Sequence, residues 1–278
     1  MFEVSGVTQD VDISTDSRFV NLLITGGGIA ESGGSQFELM RAERFKLLGL
    51  TVRDSAEDPS NISRAHNIYL GARMQDVEVG WCEISNIKGG RAALQTYTDN
   101  YSGFWDIEPC IDEIKIHNCI IHDVPQSAIL LGGGTQDIWV YNNIIYNANQ
   151  KDASWPMINM PAQGNHLKAR IFNNTIYNSA NNTLFEISNF GYDVELVEFY
   201  NNVLFVINPG AGYATSGDSG GLINITSNNN IWYGSSSGLP SFTGANDRSV
   251  DPLFINSSAA DFTLQSASPA IDTGSSSV

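Results

Sequence analysis

The sequence predicts an all-β solenoid, and three observations carry that expectation. A short motif recurs: "VYNNIIYNA" at 140–148, "IFNNTIYNS" at 171–179, "FYNNVLFVI" at 199–207 and "SNNNIWYGS" at 227–235, with a looser copy, "IHNCIIHDV", at 116–124. The second Asn of each pair forms a series, Asn143, Asn174, Asn202 and Asn230, which Cys119 and Cys82 extend backwards at intervals of 24 to 37 residues. Units of that length with variable insertions read as stacked repeats. The unit also alternates apolar and polar residues and shows no helical period, which selects a β-solenoid over leucine-rich or helical repeats.

Each copy divides into three strand-like pieces. In the first, alternation sends Val77/Val79, Ile114/Ile116, Ile138/Val140, Ala169/Ile171 and Val197/Phe199 inward. The second follows the Asn and points Ile84, Ile121, Ile145, Ile176, Leu204 and Trp232 inward. The third follows a variable loop, and its inward pairs run from Ile68/Leu70 and Leu94/Thr96 to Ile223/Ile225. One Asn of each pair must bend the chain, and Asn tolerates the left-handed conformation. The other faces inward as a rung of an asparagine ladder. Coils about 4.8 Å apart bring its amide within reach of its neighbours. Before these copies, residues 1–44 read as first coils, with Val11/Ile13 and Val20/Leu22/Ile24 inward.

The repeats resemble right-handed parallel β-helix proteins of the pectate-lyase-like superfamily. The segment "HNIYL…VEVGWCEISNI…AALQTYTDN" is similar to the rung pattern of that family, and the tail "DPLFINSSAADFTLQSASPAIDTG" to an ending common in secreted bacterial members. The resemblance spans roughly residues 45 to 274. It implies a right-handed single-stranded parallel β-helix with protruding loops. The coils would occupy 1–249, and 250–278 would form an end-covering segment of the same domain. It also implies a secreted or cell-surface location. No signal peptide is legible in "MFEVSGVTQD", which lacks a basic start and an apolar centre.

Composition narrows the partners. The chain has 278 residues, of which 42% are apolar and only 16% charged, with a net charge of −16. Nothing here would neutralise phosphates, so nucleic acid is excluded. No apolar run is long enough to span a membrane. Cys82, Cys110 and Cys119 form neither a zinc spacing nor an even disulfide set. Cys82 and Cys119 fall one above the other, within disulfide range, and read as buried thiols.

The outward column of the third strand, Tyr69, Gln95, Leu130, Asn159, Glu186 and Asn224, is the first candidate for a site. Arg64, His66, Arg91, Tyr97 and Asp99 cluster around it. One long loop, 97–110, adds Tyr101, Phe104, Trp105, Asp106 and Glu108, and a second, 147–157, adds Lys151, Asp152 and Trp155. Long loops on a rigid scaffold carry function. Aromatic rings stack on sugars, and Asn, Gln, Asp and Arg pair with their hydroxyls. Tyr69, Gln95, Tyr97, Trp105, Glu108, Trp155, Asn159 and Glu186 would therefore bind a polysaccharide or oligosaccharide. The plain alternative is two solvated loops packing their rings on the coil.

By the family resemblance, lyase chemistry would use Arg91 or His66 as base. Asp99, Asp106 or Glu108 would hold a cation, with calcium the one metal to consider. Arg91 could equally make a surface ion pair, and His66 could cap a strand. A hydrolase would need two facing carboxylates from Asp99, Asp106, Glu108 and Glu186. The specific signatures of pectin hydrolases, pectate lyases and mannuronan epimerases are missing from the sequence. Two classes of function stay open. One is a carbohydrate-active protein that binds a polysaccharide and, as an enzyme, cleaves it by lyase or hydrolase chemistry. The other is a non-catalytic adhesin, stalk or tail-spike module. Two outward aromatic columns, His117/Tyr141/Phe172/Tyr200 and His122/Tyr146/Tyr177/Phe205/Tyr233, would stabilise the coil edge, join subunits of a homo-oligomer, or grip a glycan. Ice binding is rejected, because the outward columns are mixed and bulky.

Overall fold

The computed structural model describes residues 2–5, 14–26, 35–55, 66–71, 74–88, 90–97, 111–132, 134–150, 155–161, 167–178, 183–188, 193–208, 214–217, 223–236 and 238–276. Its strands stack into three parallel sheets, of nine, eight and eight strands, and a two-stranded antiparallel hairpin follows them. One coil shows the order. Met74–Gly80 lies in the first sheet, Glu83–Ile87 in the second and Ala92–Tyr97 in the third. The next coil repeats it as Ile111–His117, Ile120–Val124 and Ser127–Leu131.

The expected register holds. Val77 pairs with Ile114, Ile114 with Ile138, Ile138 with Ala169 and Ala169 with Val197. The second sheet aligns Ile84, Ile121, Ile145, Ile176, Leu204 and Trp232. All of these side chains are buried in one continuous apolar core. A strand with one buried face cannot slip by one residue without turning that whole set outward, so the core fixes the stacking.

The Asn pairs divide their work as alternation requires. The first of each pair bends the chain, with φ of 55° at Asn142, 55° at Asn173, 56° at Asn201 and 58° at Asn229. The second is buried and bonded along the stack. Asn174 Oδ1 accepts from the backbone N–H and the Nδ2 of Asn143, each at 3.0 Å. Asn202 Oδ1 does the same for Asn174, and Asn230 Oδ1 for Asn202. Each Nδ2 also donates to a carbonyl of an earlier coil: Ile116, Val140, Ile171 and Phe199. Asn143 Oδ1 accepts from Cys119 N–H at 2.9 Å, which carries the series onto the thiol positions. Cys82 and Cys119 are both buried and free.

Three expectations are corrected. In the first coils Phe19 and Ile24 pack on the core, whereas Val20 and Leu22 are exposed. The backbone pairs Phe19 with the buried Leu47, which sets the alternation one residue away from the expected phase. Ile223–Asn228 lies in the first sheet, not the third. The third-sheet strand of that coil is Ala214–Gly217, so Thr215 rather than Asn224 follows Glu186 in register.

The third correction concerns the second aromatic column, which is not free surface along its length. The hairpin of Phe254–Asn256 and Asp261–Leu264 packs over it. Phe262 lies 5.5 Å from the Tyr146 ring and 5.2 Å from Tyr177, and Phe254 lies 6.0 Å from Phe205. The first column stacks on itself, with His117–Tyr141 at 4.8 Å and Tyr141–Phe172 at 5.0 Å. Ring pairs of this kind stabilise by about 0.5–1.5 kcal/mol each beyond their buried area.

Candidate functional site

The third sheet places the candidate residues in one outward file. Its register runs Glu38, Tyr69, Gln95, Leu130, Asn159, Glu186 and Thr215. Two strands of this sheet carry a pair of consecutive buried residues near their start, Ala93/Leu94 and Ala128/Ile129. In the coil below, Asn67 reaches across the interior and donates to Gln36 Oε1 at 2.5 Å and to the carbonyls of Val52 and Ser85 at 3.4 Å. With Asn67 turned in, its neighbour His66 faces the other way. The His66 ring lies 5.5 Å from that of Tyr69, and its Nδ1 is 3.3 Å from the Ala92 carbonyl.

Arg91 enters the file from the corner before Ala92–Tyr97. Its guanidinium carbon sits 4.8 Å above the centre of the Trp155 ring. Trp155 is held there by its neighbours: Ser127 Oγ donates to the Pro156 carbonyl at 2.7 Å, and Ala128 N–H donates to Met157 at 2.8 Å. Tyr69 OH donates to the Tyr97 carbonyl at 3.2 Å, which ties the two tyrosines together. Burial lowers the Arg91 pKa, and the nearby Tyr97 and Tyr69 side chains oppose that shift. Ser188 Oγ donates to Glu186 Oε1 at 2.8 Å at the far end of the file.

The centre of the file is sunk and chemically unfinished. Gln95 is 3% exposed and Asn159 is 4% exposed, although both face away from the coil axis. Gln95 Oε1, Asn159 Oδ1 and Arg91 Nε are buried without a hydrogen-bond partner among the described residues. A buried polar group left in that condition costs about 1–3 kcal/mol. The two amides stand two rungs apart, about 10 Å, with Leu130 between them. The surrounding rings of Tyr69, Tyr97 and Trp155 are half-buried.

Of the residues singled out in the sequence, His66, Tyr69, Arg91, Gln95, Tyr97, Trp155, Asn159 and Glu186 therefore lie on or beside one face. Asp99, Trp105, Asp106 and Glu108 lie outside the described residues. Glu38 and Glu186, the carboxylates of the file, are five rungs apart, roughly 24 Å. Among the described residues no three His, Cys, Asp or Glu side chains converge, and Asp99, Asp106 and Glu108, the residues expected to hold a cation, lie outside them. Sequence reasoning missed Ser127 as the anchor of Trp155. Its signal was positional, since Ser127 pairs with Ala92, the neighbour of Arg91.

His66 gives a pH prediction. Burial holds its pKa down at about 4, against an ordinary 6.5, and the adjacent Arg91 charge acts in the same direction. The folded chain thus resists a proton that the unfolded chain accepts. Stability from this group is complete above pH 6.5 and falls as pH drops from 6.5 to about 4, by roughly 3 kcal/mol in all. Urea unfolding at stepped pH should show that slope, and His66→Gln should flatten it.

No family model matches the sequence, and neither does any curated protein. Solved structures do show likeness. A glycoside hydrolase aligns with a TM-score of 0.48 and 12% identity over 69% of this chain. The A-module of the Azotobacter vinelandii mannuronan C-5 epimerase AlgE6 aligns with a TM-score of 0.43 and 14% identity over 76% of this chain. The chain spans 38% and 55% of those two structures. The chain is a parallel β-helix protein. Among the described residues no helix is long and apolar enough to cross a membrane.

Proposed function

We propose that this β-helix binds a polysaccharide or oligosaccharide on the outward face of its third sheet. The observation that carries the reading is the pair of buried amide oxygens on Gln95 and Asn159, beside the Nε of Arg91, all three without a partner among the described residues. Sugar hydroxyls donate and accept, so their chemistry matches all three groups. The rings of Tyr69, Tyr97 and Trp155 offer surfaces for the apolar faces of the sugar. The net charge of −16 favours neutral glycans, or acidic ones whose charge Arg91 meets directly.

Cleavage is the second reading, and the lowered Arg91 pKa favours its lyase-like form. Arg remains protonated at ordinary pH, and the shift only moves it toward the neutral form that a base must have. His66, already neutral at ordinary pH, is the alternative base.

The test replaces the unfinished groups by apolar ones. Gln95→Leu with Asn159→Leu fills the same space without the unmet acceptors. Stability should hold or rise by about 1–2 kcal/mol, while glycan affinity falls at least tenfold. Calorimetric titration against neutral and acidic oligosaccharides reads the affinity, and absorbance of a new unsaturated bond reads lyase turnover. If a bound glycan holds as tightly to the double variant as to the parent, the proposed face is wrong. Arg91→Ala should abolish turnover at a cost of about 1 kcal/mol in stability for the lost Trp155 contact.

A further inference from the structure

A second surface on the molecule is half used. At the corner between the first two sheets, the bent Asn residues form an outward file: Asn142, Asn173, Asn201 and Asn229. Their backbones repeat from coil to coil, with Asn142 N–H donating to Phe172 O, Asn173 N–H to Tyr200 O and Asn201 N–H to Asn228 O, at 3.2–3.3 Å. The chain's own tail lies on two of them. Asn229 Nδ2 donates to the Thr273 carbonyl at 2.9 Å. Asn201 grips both sides of Ser275: its Nδ2 donates to the Ser275 carbonyl at 3.0 Å, and its Oδ1 accepts from Ser275 N–H at 2.7 Å.

The tail thus descends two residues per coil, and these three bonds reach it through its main chain. Between the two contacts, Gly274 meets the Asn201 side chain, where a Cβ would stand 3.4 Å from it. The next two positions down, Asn173 and Asn142, have the same residue and the same backbone. They are exposed, and their side chains bond no other described residue. Beside them the Tyr141 and Phe172 rings stack 5.0 Å apart and parallel, which gives the file an apolar wall.

We propose that this file is a docking strip for a peptide rich in Gly, Ser and Thr, which follows the same bent course over Asn173 and Asn142 as residues 273–275 follow over Asn229 and Asn201. A side-chain amide presents one donor and one acceptor at the spacing of a peptide group. Successive coils can therefore hold every second residue of a bent main chain by the paired bonds seen at Ser275. Thr, Gly and Ser are the residues that already lie on the occupied half of the strip, at 273–275.

The probe is a blocked synthetic peptide, Ac-TGSSSTG-NH2, titrated into the full chain and followed through the Asn side-chain amide signals by NMR. The Asn142 and Asn173 signals should shift and saturate. Asn142→Gly with Asn173→Gly removes both amides while glycine keeps a positive φ without strain. That variant should bind the peptide at least tenfold more weakly with an unchanged melting temperature. Equal binding by the variant, no shift at millimolar peptide, or shifts confined to Asn201 and Asn229 would each overturn the proposal. So would an oligosaccharide that moves the Asn142 and Asn173 signals when the peptide does not.

Discussion

Asn202→Leu should lower the unfolding free energy by about 4 kcal/mol, because it leaves the buried Asn174 N–H without its acceptor and breaks the amide bonds to Asn174, Ile171 and Asn230. Asn202 Oδ1 accepts from Asn174 N–H, and its Nδ2 donates to the Ile171 carbonyl at 2.9 Å. Leucine has the same side-chain branching and heavy-atom count with bulkier methyl ends, so no cavity forms and the loss is of hydrogen bonds and fit. Against a total of roughly 5–15 kcal/mol for a folded domain, the shift should be plain in a urea titration. The neighbouring position supplies the contrast. Asn173 is exposed and needs only its positive φ, so Asn173→Gly should cost almost nothing, and Asn173→Ala about 1–2 kcal/mol of left-handed strain. Equal losses at positions 202 and 173 would mean that the buried amides are not what joins the coils.

That contrast also explains what the sequence could reveal. Contacts that repeat leave a repeating trace: the same residue type must stand at the same place in each coil to meet its copy. The inward columns and the division of labour within each Asn pair were legible for that reason. At Ile223–Asn228 the trace failed, because "LINI" alternates as well for one sheet as for another and only its neighbours in the stack assign it. Phase failed likewise at Val20 and Leu22, where a two-residue corner before a three-residue strand leaves no room for alternation to declare itself.

The candidate face was partly legible. Tyr69, Gln95, Asn159 and Glu186 follow from strand register, and Trp155 from the loop that enters the same sheet. The depth of Gln95 and Asn159 did not follow. Alternation says which way a side chain points, and it is silent on what else comes to rest there. Contacts made once left the least trace. Nothing in "DFTLQSAS" announces that Phe262 will sit against Tyr146 and Tyr177, more than 80 residues back in the chain.

The end of the amide series is the most consequential of these single contacts, and Asp247→Ala should cost about 4 kcal/mol, since hydrogen bonds to a charged group contribute about 1.5–3 kcal/mol each. Seventeen residues after Asn230, a carboxylate stands where the next amide would be. Asp247 Oδ1 accepts from Asn230 N–H at 2.7 Å and from its Nδ2 at 2.9 Å. Its Oδ2 accepts from Ser227 Oγ at 2.6 Å and from Gly244 N–H at 2.9 Å. A carboxylate suits the end of the column because it only accepts, whereas an amide would bring an N–H that needs a further coil above it. The 244–248 turn continues the backbone pattern too, with Arg248 N–H donating to Asn230 O and Trp232 N–H to Arg248 O, both at 2.8 Å. Gly244 permits the approach, since a Cβ there would fall 1.9 Å from the Ser227 carbonyl oxygen. Loss of Asp247 should therefore loosen the turn as a unit and uncover Trp232, the largest buried side chain of the last coil. Indole fluorescence should redden before the main unfolding transition in Asp247→Ala, whereas Asp247→Asn, which keeps one accepting oxygen, should fall between it and the parent. A single transition with unshifted emission in the alanine variant would show that the turn is held by its backbone bonds and that the carboxylate is incidental.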